Sequence, residues 1–153
     1  MTTPVTLRRL PAGDPRIGSD VGPLIRTLRP ALDAEGFERF SAEAQAQGLE
    51  FTAAYDEADR CLGVAGHRVL ATSRGRVLFV DDLVTDPRLR SAGIGERLLD
   101  ELKSLARARD CVRIELDSGV TNQRAHRFYH RHALTIRALH FAVDTNGAPG
   151  AGR

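Results

Sequence analysis

Two closely spaced glycines stand between an apolar segment and an amphipathic one in the middle of the chain. They belong to the run Arg-Ser-Ala-Gly-Ile-Gly at residues 90–95. A strand, a glycine-containing loop and a helix in this order aim several unpaired backbone N–H groups at one point, where the helix dipole adds positive potential. Because glycine lacks a Cβ, a ligand can approach this backbone closely. The run therefore favours a phosphate or pyrophosphate site, to which Arg90 adds a charge-assisted contact, with an ordinary loop as the alternative on spacing alone.

Two other phosphate-binding motifs fit this run less well. A P-loop requires Gly-Lys followed by Ser or Thr, which this run lacks. The dinucleotide-binding motif fits in part, because Glu115 or Asp117 follows at about the distance of a ribose-binding acid. However, Leu98 occupies the position of its third glycine, and the connection at residues 85–92 is too long for its tight first turn. The dinucleotide interpretation is therefore disfavoured.

The glycine run needs a strand before it and a helix after it, and hydrophobic periodicity predicts both. A strand at 76–84 precedes the run, and a helix at 93–109 carries an apolar stripe at helical spacing. A strand at 112–116 follows, so a right-handed parallel crossover is expected. Short connections predict that the strands at 49–55, 61–71 and 76–84 form an antiparallel meander. The remaining predicted elements are strands at 5–10 and 134–143, and helices ending near residues 28, 47 and 130, the first two capped by Asp20 and Asp33.

Composition predicts a globular protein of one domain. The 153 residues are 42% hydrophobic and 27% charged with a formal net charge of +2, so neither nucleic acid nor a membrane is an expected partner. No apolar run approaches the roughly 18 residues of a membrane span, and no signal peptide is recognisable, which predicts a cytoplasmic protein. Cys61 and Cys111 are isolated and are interpreted as buried, inert thiols. The predicted domain covers residues 1–143, and residues 144–153 are predicted to be a disordered tail.

Several histidines raise the question of a metal site. His126 and His130 have the i, i+4 spacing of zinc ligands, but the Glu of a His-Glu-x-x-His motif and nearby cysteines are lacking. A surface helix that carries histidines is the better interpretation, and no metal is expected. His67 and His140 lie within predicted strands, where either an acceptor site or the core can accommodate them.

Three segments together resemble the GCN5-related N-acetyltransferases (GNATs). Residues 90–95 resemble the family's R-x-x-G-x-G/A signature, and residues 83–90 resemble its L-x-V-x-P-x-x-R lead-in, with Thr85 in place of the usual valine. Downstream, residues 122–129 resemble its N-x-x-A-x-x-F-Y segment. The resemblance covers about residues 76–141. It implies a single-domain α/β fold, with a mixed β-sheet flanked by helices and splayed between its central parallel strands.

By this resemblance, the protein transfers an acetyl group from acetyl-CoA to a primary amine by direct attack in a ternary complex. Backbone N–H groups would cradle the pyrophosphate, and a bulge near Leu83 and Val84 would free main-chain groups for the pantetheine arm or the thioester carbonyl. Asn122 would contact the cofactor arm, or would serve only as a helix N-cap. The implied cofactor-binding residues are Leu83, Val84, Thr85, Arg90, Ser91, Ala92, Gly93, Ile94, Gly95 and Asn122.

Tyr129 is the predicted general acid, because a tyrosine with a pKa of about 10 can deliver a proton to a thiolate with a pKa of about 8.5. Asp81 and Asp82 end the strand before the glycines, and one of them is the predicted base or orienting group for the acceptor ammonium. Strand alternation places the two on opposite faces, so only one is expected to serve, and Asp82 is preferred. The alternative for both is a pair of solvated charges at a strand end.

The sequence leaves the amine acceptor open. Small polyamines, amino acids, alkylamines and protein N-termini all fit, and Arg26 and Arg29 would pair with a carboxylate or phosphonate if they line the site. A noncatalytic CoA-binding sensor or interaction module is the competing hypothesis. Tyr129 argues against it, since a binding module needs no acid at that position. Dimers are common in the family, so the resemblance leaves a homodimer open.

Overall fold

The computed structural model describes residues 4–89 and 92–146 as two compact units that divide between Leu116 and Asp117. The strands are β1 (Thr6–Leu10), β2 (Glu50–Tyr55), β3 (Cys61–Thr72), β4 (Gly75–Thr85) and β5 (Arg113–Leu116). The helices are α1 (Gly22–Leu28), α2 (Ala34–Ala46), α3 (Ile94–Ala108) and α4 (Gln123–Arg131), with a π-helical turn at Ile17–Val21 and a 3-10 turn at Pro87–Leu89. Only α4 lies in the second unit. Within the described residues, no helix is both long and apolar enough to cross a membrane.

The first unit is built on one mixed sheet with the strand order β1-β2-β3-β4-β5. Successive strands from β1 to β4 pair antiparallel, and β4 and β5 pair parallel. The connection lengths predict the antiparallel pairing of β2, β3 and β4 and the parallel crossover to β5. The parallel ladder begins where Val77 meets Arg113 and ends where Val80 meets Leu116. Because β4 continues to Thr85, its second half extends beyond β5. The predicted mixed sheet, with its splay between the parallel strands, is confirmed.

Helices cover both faces of this sheet, and each face has its own apolar cluster. On one face, Ile25 of α1 and Phe37 of α2 pack with Phe51 of β2, and we call this cluster the α1–α2 core. On the other face, Leu98 and Leu102 of α3 pack with apolar residues of β3 and β4, and we call this cluster the α3 core. The sheet therefore separates the α1–α2 core from the α3 core.

The helix after the glycines follows from its apolar stripe. Its buried residues are Ile94, Leu98, Leu99, Leu102 and Ala106. Gly93 precedes the helix with a φ of 78°, in the left-handed region that favours glycine. On β3, a Cβ at Gly63 would stand 2.9 Å from Ile94 Cγ2, so the missing side chain lets the first turn of α3 lie against the sheet.

The predicted strand at residues 134–143 is wrong, since this segment of the second unit forms no strand. Its large apolar side chains are exposed, Phe141 at 88%. The apolar residues also change parity along the segment: Leu134 and Ile136 fall in one alternation, and Leu139 and Phe141 fall in the other. A strand without a bulge presents one consistent face, and this pattern offers two. Most of the tail predicted after it, residues 147–153, lies outside the described residues.

The two predicted helix caps have different outcomes. Asp33 accepts the backbone N–H of Gly36 at 2.7 Å and begins α2, as predicted. Asp20 does not cap α1, because it lies within the π-helical turn and accepts the hydroxyl proton of Tyr55 at 2.8 Å. That partner is remote in sequence, and the local pattern around Asp20 carries no sign of it.

Candidate functional site

The second half of β4, residues 81–85, is the centre of the candidate site. It remains paired with β3 on one side, where Asp82 meets Gly66 and Thr85 meets Gly63. On its other side, the described part of the chain supplies no strand beyond the end of β5. The backbone groups on that side can therefore pair with an extended ligand, in the way an added strand would.

The predicted bulge in β4 is present and lies at Asp81, two residues before Leu83. The strand pairing skips Asp81, since Val80 and Asp82 oppose consecutive residues of β3. Val80 packs in the α3 core, whereas beyond the bulge Leu83 packs against the α3 core and Val84 against the α1–α2 core. Period-two alternation then places Asp82 with Val84, on the α1–α2 face. The prediction that Asp81 and Asp82 lie on opposite faces assumes regular alternation, and the bulge interrupts that alternation between them.

Asp82 is a largely buried carboxylate with one loosely held partner. Its side chain is 9% exposed, and its Oδ1 accepts a hydrogen bond from Arg29 Nη2 at 3.1 Å. Arg29, just after α1, is 60% exposed. Burial raises the pKa of Asp82 above its ordinary value, an effect that the Arg29 charge opposes and the Asp81 charge reinforces. A desolvated carboxylate of this kind can hold an ammonium or accept its proton.

Asp81 has a different environment, because both of its oxygens are bound by one arginine. Arg68 Nε donates to Oδ1 at 3.0 Å, and Arg68 Nη2 donates to Oδ2 at 2.6 Å. The two side chains are only 17% and 19% exposed, and the hydrogen bonds raise the pKa of Arg68. Of the two adjacent aspartates, Asp82 is therefore the one with an oxygen left for another partner.

The N-terminus of α3 follows β4 and carries backbone N–H groups that no described group accepts. Arg97 donates its backbone N–H to the Gly93 carbonyl at 3.1 Å, which closes the first turn. The N–H groups of Ile94, Gly95 and Glu96 come before that bond, and no acceptor for them lies in the described ranges. A Cβ at Gly93 would meet no atom within 4 Å, so the approach to these donors is open. The arrangement can bind an anion, as the glycine spacing predicts.

Asp86 fixes the turn between β4 and α3, and the sequence analysis missed it. Its carboxylate accepts the side-chain N–H groups of Arg88, the closest at 2.6 Å, and also the Arg88 backbone N–H at 2.9 Å. These hydrogen bonds lower the pKa of Asp86 to about 2. An Asp directly before a proline is a turn signal that could have identified it. Two other predicted loop residues, Arg90 and Ser91, lie outside the described residues.

The second unit holds the other two predicted site residues. Asn122 Oδ1 accepts the backbone N–H of Ala125 at 3.2 Å, so the side chain caps α4, one of its two predicted roles. The side-chain NH2 group of Asn122 is not used by this bond. Tyr129 lies on α4 in ring contact with Phe128, and burial raises the pKa of its hydroxyl. Tyr129 therefore stays protonated well above neutral pH.

Two histidines of the second unit, His126 and His130, lie against backbone carbonyls. His126 Nε2 lies 2.8 Å from the Gly119 oxygen, and His130 Nδ1 lies 3.2 Å from the Leu134 oxygen. Among residues 4–89 and 92–146, no group of three or more metal-ligating side chains is arranged to hold an ion.

His67 belongs to the core. It is fully buried, its Nε2 lies 2.8 Å from Thr52 Oγ1, and no described group pairs with its Nδ1. Burial lowers the pKa of His67 to about 4, so the ring is neutral at pH 7. His140 instead lies exposed beside Asp117, with 3.1 Å between Nδ1 and Oδ2.

A surface cleft of about 410 Å3 lies away from this site. It is lined in part by Arg9, Glu50 and Arg109. Arg109 ends α3, at the opposite end of that helix from Gly93, and it forms a two-pronged ion pair with Glu50 at 2.9 Å. The cleft is therefore separated from the N–H groups at the N-terminus of α3 by the length of that helix.

Residues 24–133 match the family model described as the Acetyltransferase (GNAT) family. The chain belongs to the GNAT family. This GNAT protein is 37% identical over 109 residues to the uncharacterized N-acetyltransferase YhdJ of Bacillus subtilis. The matched region covers 70% of this chain and 76% of YhdJ. The match and the shared fold support an acyltransferase.

Solved structures share the GNAT fold at lower identity. The aminoglycoside N-acetyltransferase AAC(6')-Iy in complex with CoA has a TM-score of 0.80 at 14% identity, over 95% of this chain and 97% of that one. A mutant of the BH1408 protein from Bacillus halodurans has a TM-score of 0.75 at 20% identity, over 91% of this chain and 98% of that one. AAC(6')-Iy has also been solved with a bisubstrate analogue, CoA-S-monomethyl-acetylneamine.

Proposed function

We propose that this GNAT protein transfers the acetyl group of acetyl-CoA to a primary amine by direct attack in a ternary complex. The amine nitrogen forms a bond to the acetyl carbon, and the bond from that carbon to sulfur breaks. An ammonium acceptor loses two protons in the process: one before the attack and one from the new amide nitrogen. One proton ends on the CoA sulfur and the other goes to solvent, so the products are the N-acetylated amine, CoA and one proton.

The free side of β4 and the N-terminus of α3 support the binding of acetyl-CoA. Backbone groups of Leu83, Val84 and Thr85 would pair with the pantetheine arm, since the described part of β5 ends before them. The pyrophosphate would be held by the N–H groups of Gly93, Ile94 and Gly95, together with Arg90 and Ser91, whereas the Ala92 N–H already donates to the Leu89 carbonyl at 3.2 Å. The Asn122 amide, which keeps its two N–H groups after capping α4, would contact the cosubstrate arm.

Asp82 is the proposed base or ammonium-orienting group. It lies where the bulge directs β4 toward the α1–α2 face, and its raised pKa makes it a stronger base than an exposed aspartate. Asp81, the other predicted candidate, is assigned a positioning role, because its two oxygens are bound by Arg68.

Tyr129 is the proposed general acid. A hydroxyl whose pKa is raised by burial keeps its proton until a stronger base forms beside it. The departing CoA thiolate is such a base only as the bond from carbon to sulfur breaks. The proton is then delivered late in the reaction, when it prevents the thiolate from attacking the new amide.

One observation carries this proposal: β4 continues past the end of β5, so residues 81–85 have no described strand on that side. The buried carboxylate of Asp82 and the α3 N–H groups without a described acceptor lie on and after this part of β4. A thermal-shift titration with acetyl-CoA, run beside NAD, is the first test. Saturation at a hundredfold excess over Kd would stabilise the folded state by about 2.7 kcal/mol. A shift with acetyl-CoA alone supports the proposal, whereas a shift only with NAD, or none, contradicts it.

Turnover separates an enzyme from a noncatalytic module. Thiol release from acetyl-CoA is followed with an aromatic disulfide reagent in the presence of primary amines. Amine-dependent release at the rate of product formation supports the enzyme. Tight binding of acetyl-CoA with no release for any amine or peptide N-terminus would favour a CoA-binding sensor.

A further inference from the structure

The partner of Asp82 is far more exposed to solvent than Asp82 itself. The carboxylate is 9% exposed and fixed on a strand, whereas the guanidinium of Arg29 is 60% exposed and follows the last residue of α1. A single 3.1 Å hydrogen bond joins the two. A cation that reaches Asp82 can therefore displace Arg29 into solvent without disturbing the core.

A second arginine stands at the same turn. Arg26 Nε donates to the Leu32 carbonyl at 3.3 Å, and the Leu32 N–H donates to the Arg29 carbonyl at 3.0 Å. Within the described ranges, Arg26 has no carboxylate partner. The turn after α1 thus carries two arginines, of which Arg29 contacts Asp82.

The neighbouring Asp81 offers no free negative charge to Arg29. Asp81 is committed to Arg68 through two hydrogen bonds, so that pair is neutral as a unit. Asp82 and Arg29 are left as one pair of opposite charges. When an ammonium takes the place of Arg29 at Asp82, the released guanidinium is a positive charge with a planar fork of donors and no counter-ion.

We infer that the acceptor is a primary amine that carries a carboxylate or phosphonate a few bonds from its nitrogen, and that Arg29 selects it by binding that anion. The inference rests on the proposed function and names its substrate class. The ammonium pairs with Asp82, and the anion pairs with the displaced Arg29 in a two-pronged contact. A polyamine would instead place a second positive charge beside Arg29, and like charges repel.

A matched series of amines tests the inference with acetyl-CoA at saturation. Propylamine and β-alanine differ only in a terminal methyl or carboxylate, 2-aminoethylphosphonate supplies the phosphonate, and 1,3-diaminopropane supplies a second cation. We expect kcat/KM for the two anionic amines to exceed that for propylamine by about tenfold or more, since hydrogen bonds to charged groups are the stronger ones. The diamine is expected to be the poorest acceptor.

Variants of Arg29 give the decisive comparison. Arg29→Ala is expected to abolish the preference for anionic amines, mainly through KM, so that the ratio of kcat/KM for β-alanine to kcat/KM for propylamine falls to about one. Arg29→Lys should recover part of the preference, because it restores the charge without the planar fork. Arg39→Ala is the matched control, since Arg39 is a similarly exposed arginine of α2 that pairs with Glu35 at 2.6 Å.

These experiments separate a failure of the acceptor inference from a failure of the proposed acetyltransferase function. Binding of acetyl-CoA without any preference for anionic amines, or a preference that survives Arg29→Ala, overturns this inference and leaves the proposed function standing. If no amine of the series is turned over, the same amines are titrated by thermal shift onto the CoA complex. Absence of any Arg29-dependent shift with β-alanine or 2-aminoethylphosphonate then also overturns it. Failure to bind acetyl-CoA overturns the proposed function itself.

Discussion

Replacing each of the two adjacent aspartates by asparagine should produce opposite results. In the folded protein, burial raises the pKa of Asp82 above its ordinary value of 3.8, so the folded state binds this proton more tightly than the unfolded chain does. An acid with a raised folded pKa costs stability as the pH rises from the unfolded pKa through the folded pKa, and the whole cost is present at neutral pH. Asp82→Asn removes that cost and leaves the exposed Arg29 hydrated.

The expected magnitudes follow from these surroundings. Asp82→Asn should leave the free energy of unfolding at pH 7 unchanged or slightly higher, while kcat falls by about 10²- to 10⁴-fold, the usual contribution of a general base. Asp81→Asn should do the reverse. It leaves the guanidinium of Arg68, 17% exposed, without its two-pronged partner. Loss of a buried partner of this kind costs about 1–3 kcal/mol, and kcat should stay within a few-fold.

The assay combines urea unfolding at pH 7 with CoA thiol release at about pH 8. Burial raises the pKa of Cys61 to about 11, so this thiol is almost entirely protonated and reacts slowly with the aromatic disulfide reagent. The second free thiol, Cys111, is accounted for by a control with the protein alone. A large loss of kcat in Asp81→Asn with full activity in Asp82→Asn would refute the assignment. So would a greater loss of stability in Asp82→Asn than in Asp81→Asn.

Three further predictions follow from the same structure. Tyr129→Phe should keep the Kd for acetyl-CoA, measured by calorimetry, and lower kcat by about 10²-fold or more; an unchanged kcat in single-turnover experiments would remove its role as the acid. Gly93→Ala should cost about 1–2 kcal/mol, because φ is 78° there, and should weaken acetyl-CoA binding; tight binding by a stable variant would contradict the proposed anion site. Leu98→Ala removes a fully buried side chain of the α3 core, so it should lower stability by about 2–5 kcal/mol in denaturant unfolding; a loss below about 1 kcal/mol would show that the core collapses around the cavity.

Most of the first unit could be predicted from the sequence because its signals are local and periodic. The stripe of α3 predicts a helix over 93–109, and the structure has Ile94–Ala108. Asp33 caps α2 through a contact three residues away, which a sequence window contains. The cap predicted at Asp20 is wrong for the opposite reason, because its partner Tyr55 is 35 residues away.

The candidate site was less predictable, because its geometry depends on pairing between strands. Both aspartates are visible in the sequence, but the bulge that aims Asp82 toward the α1–α2 face comes from the register against β3. Likewise, nothing in the local sequence assigns Arg68 to Asp81 and Arg29 to Asp82, contacts that span 13 and 53 residues. The failed strand at residues 134–143 shows the same limit, since an apolar run forms a strand only where a neighbouring strand accepts its register.

The extra residue at Asp81 also has an evolutionary consequence. In a regular strand an inserted residue exchanges the faces of every position that follows, but a bulge absorbs the extra residue and leaves those positions in register. Deleting Asp81 would make Asp82 follow Val80 directly, so Asp82 and Val84 would stay on the α1–α2 face and Leu83 on the face of the α3 core. A lineage could therefore gain or lose the carboxylate of Asp81 in one insertion or deletion while Asp82 and both cores keep their places.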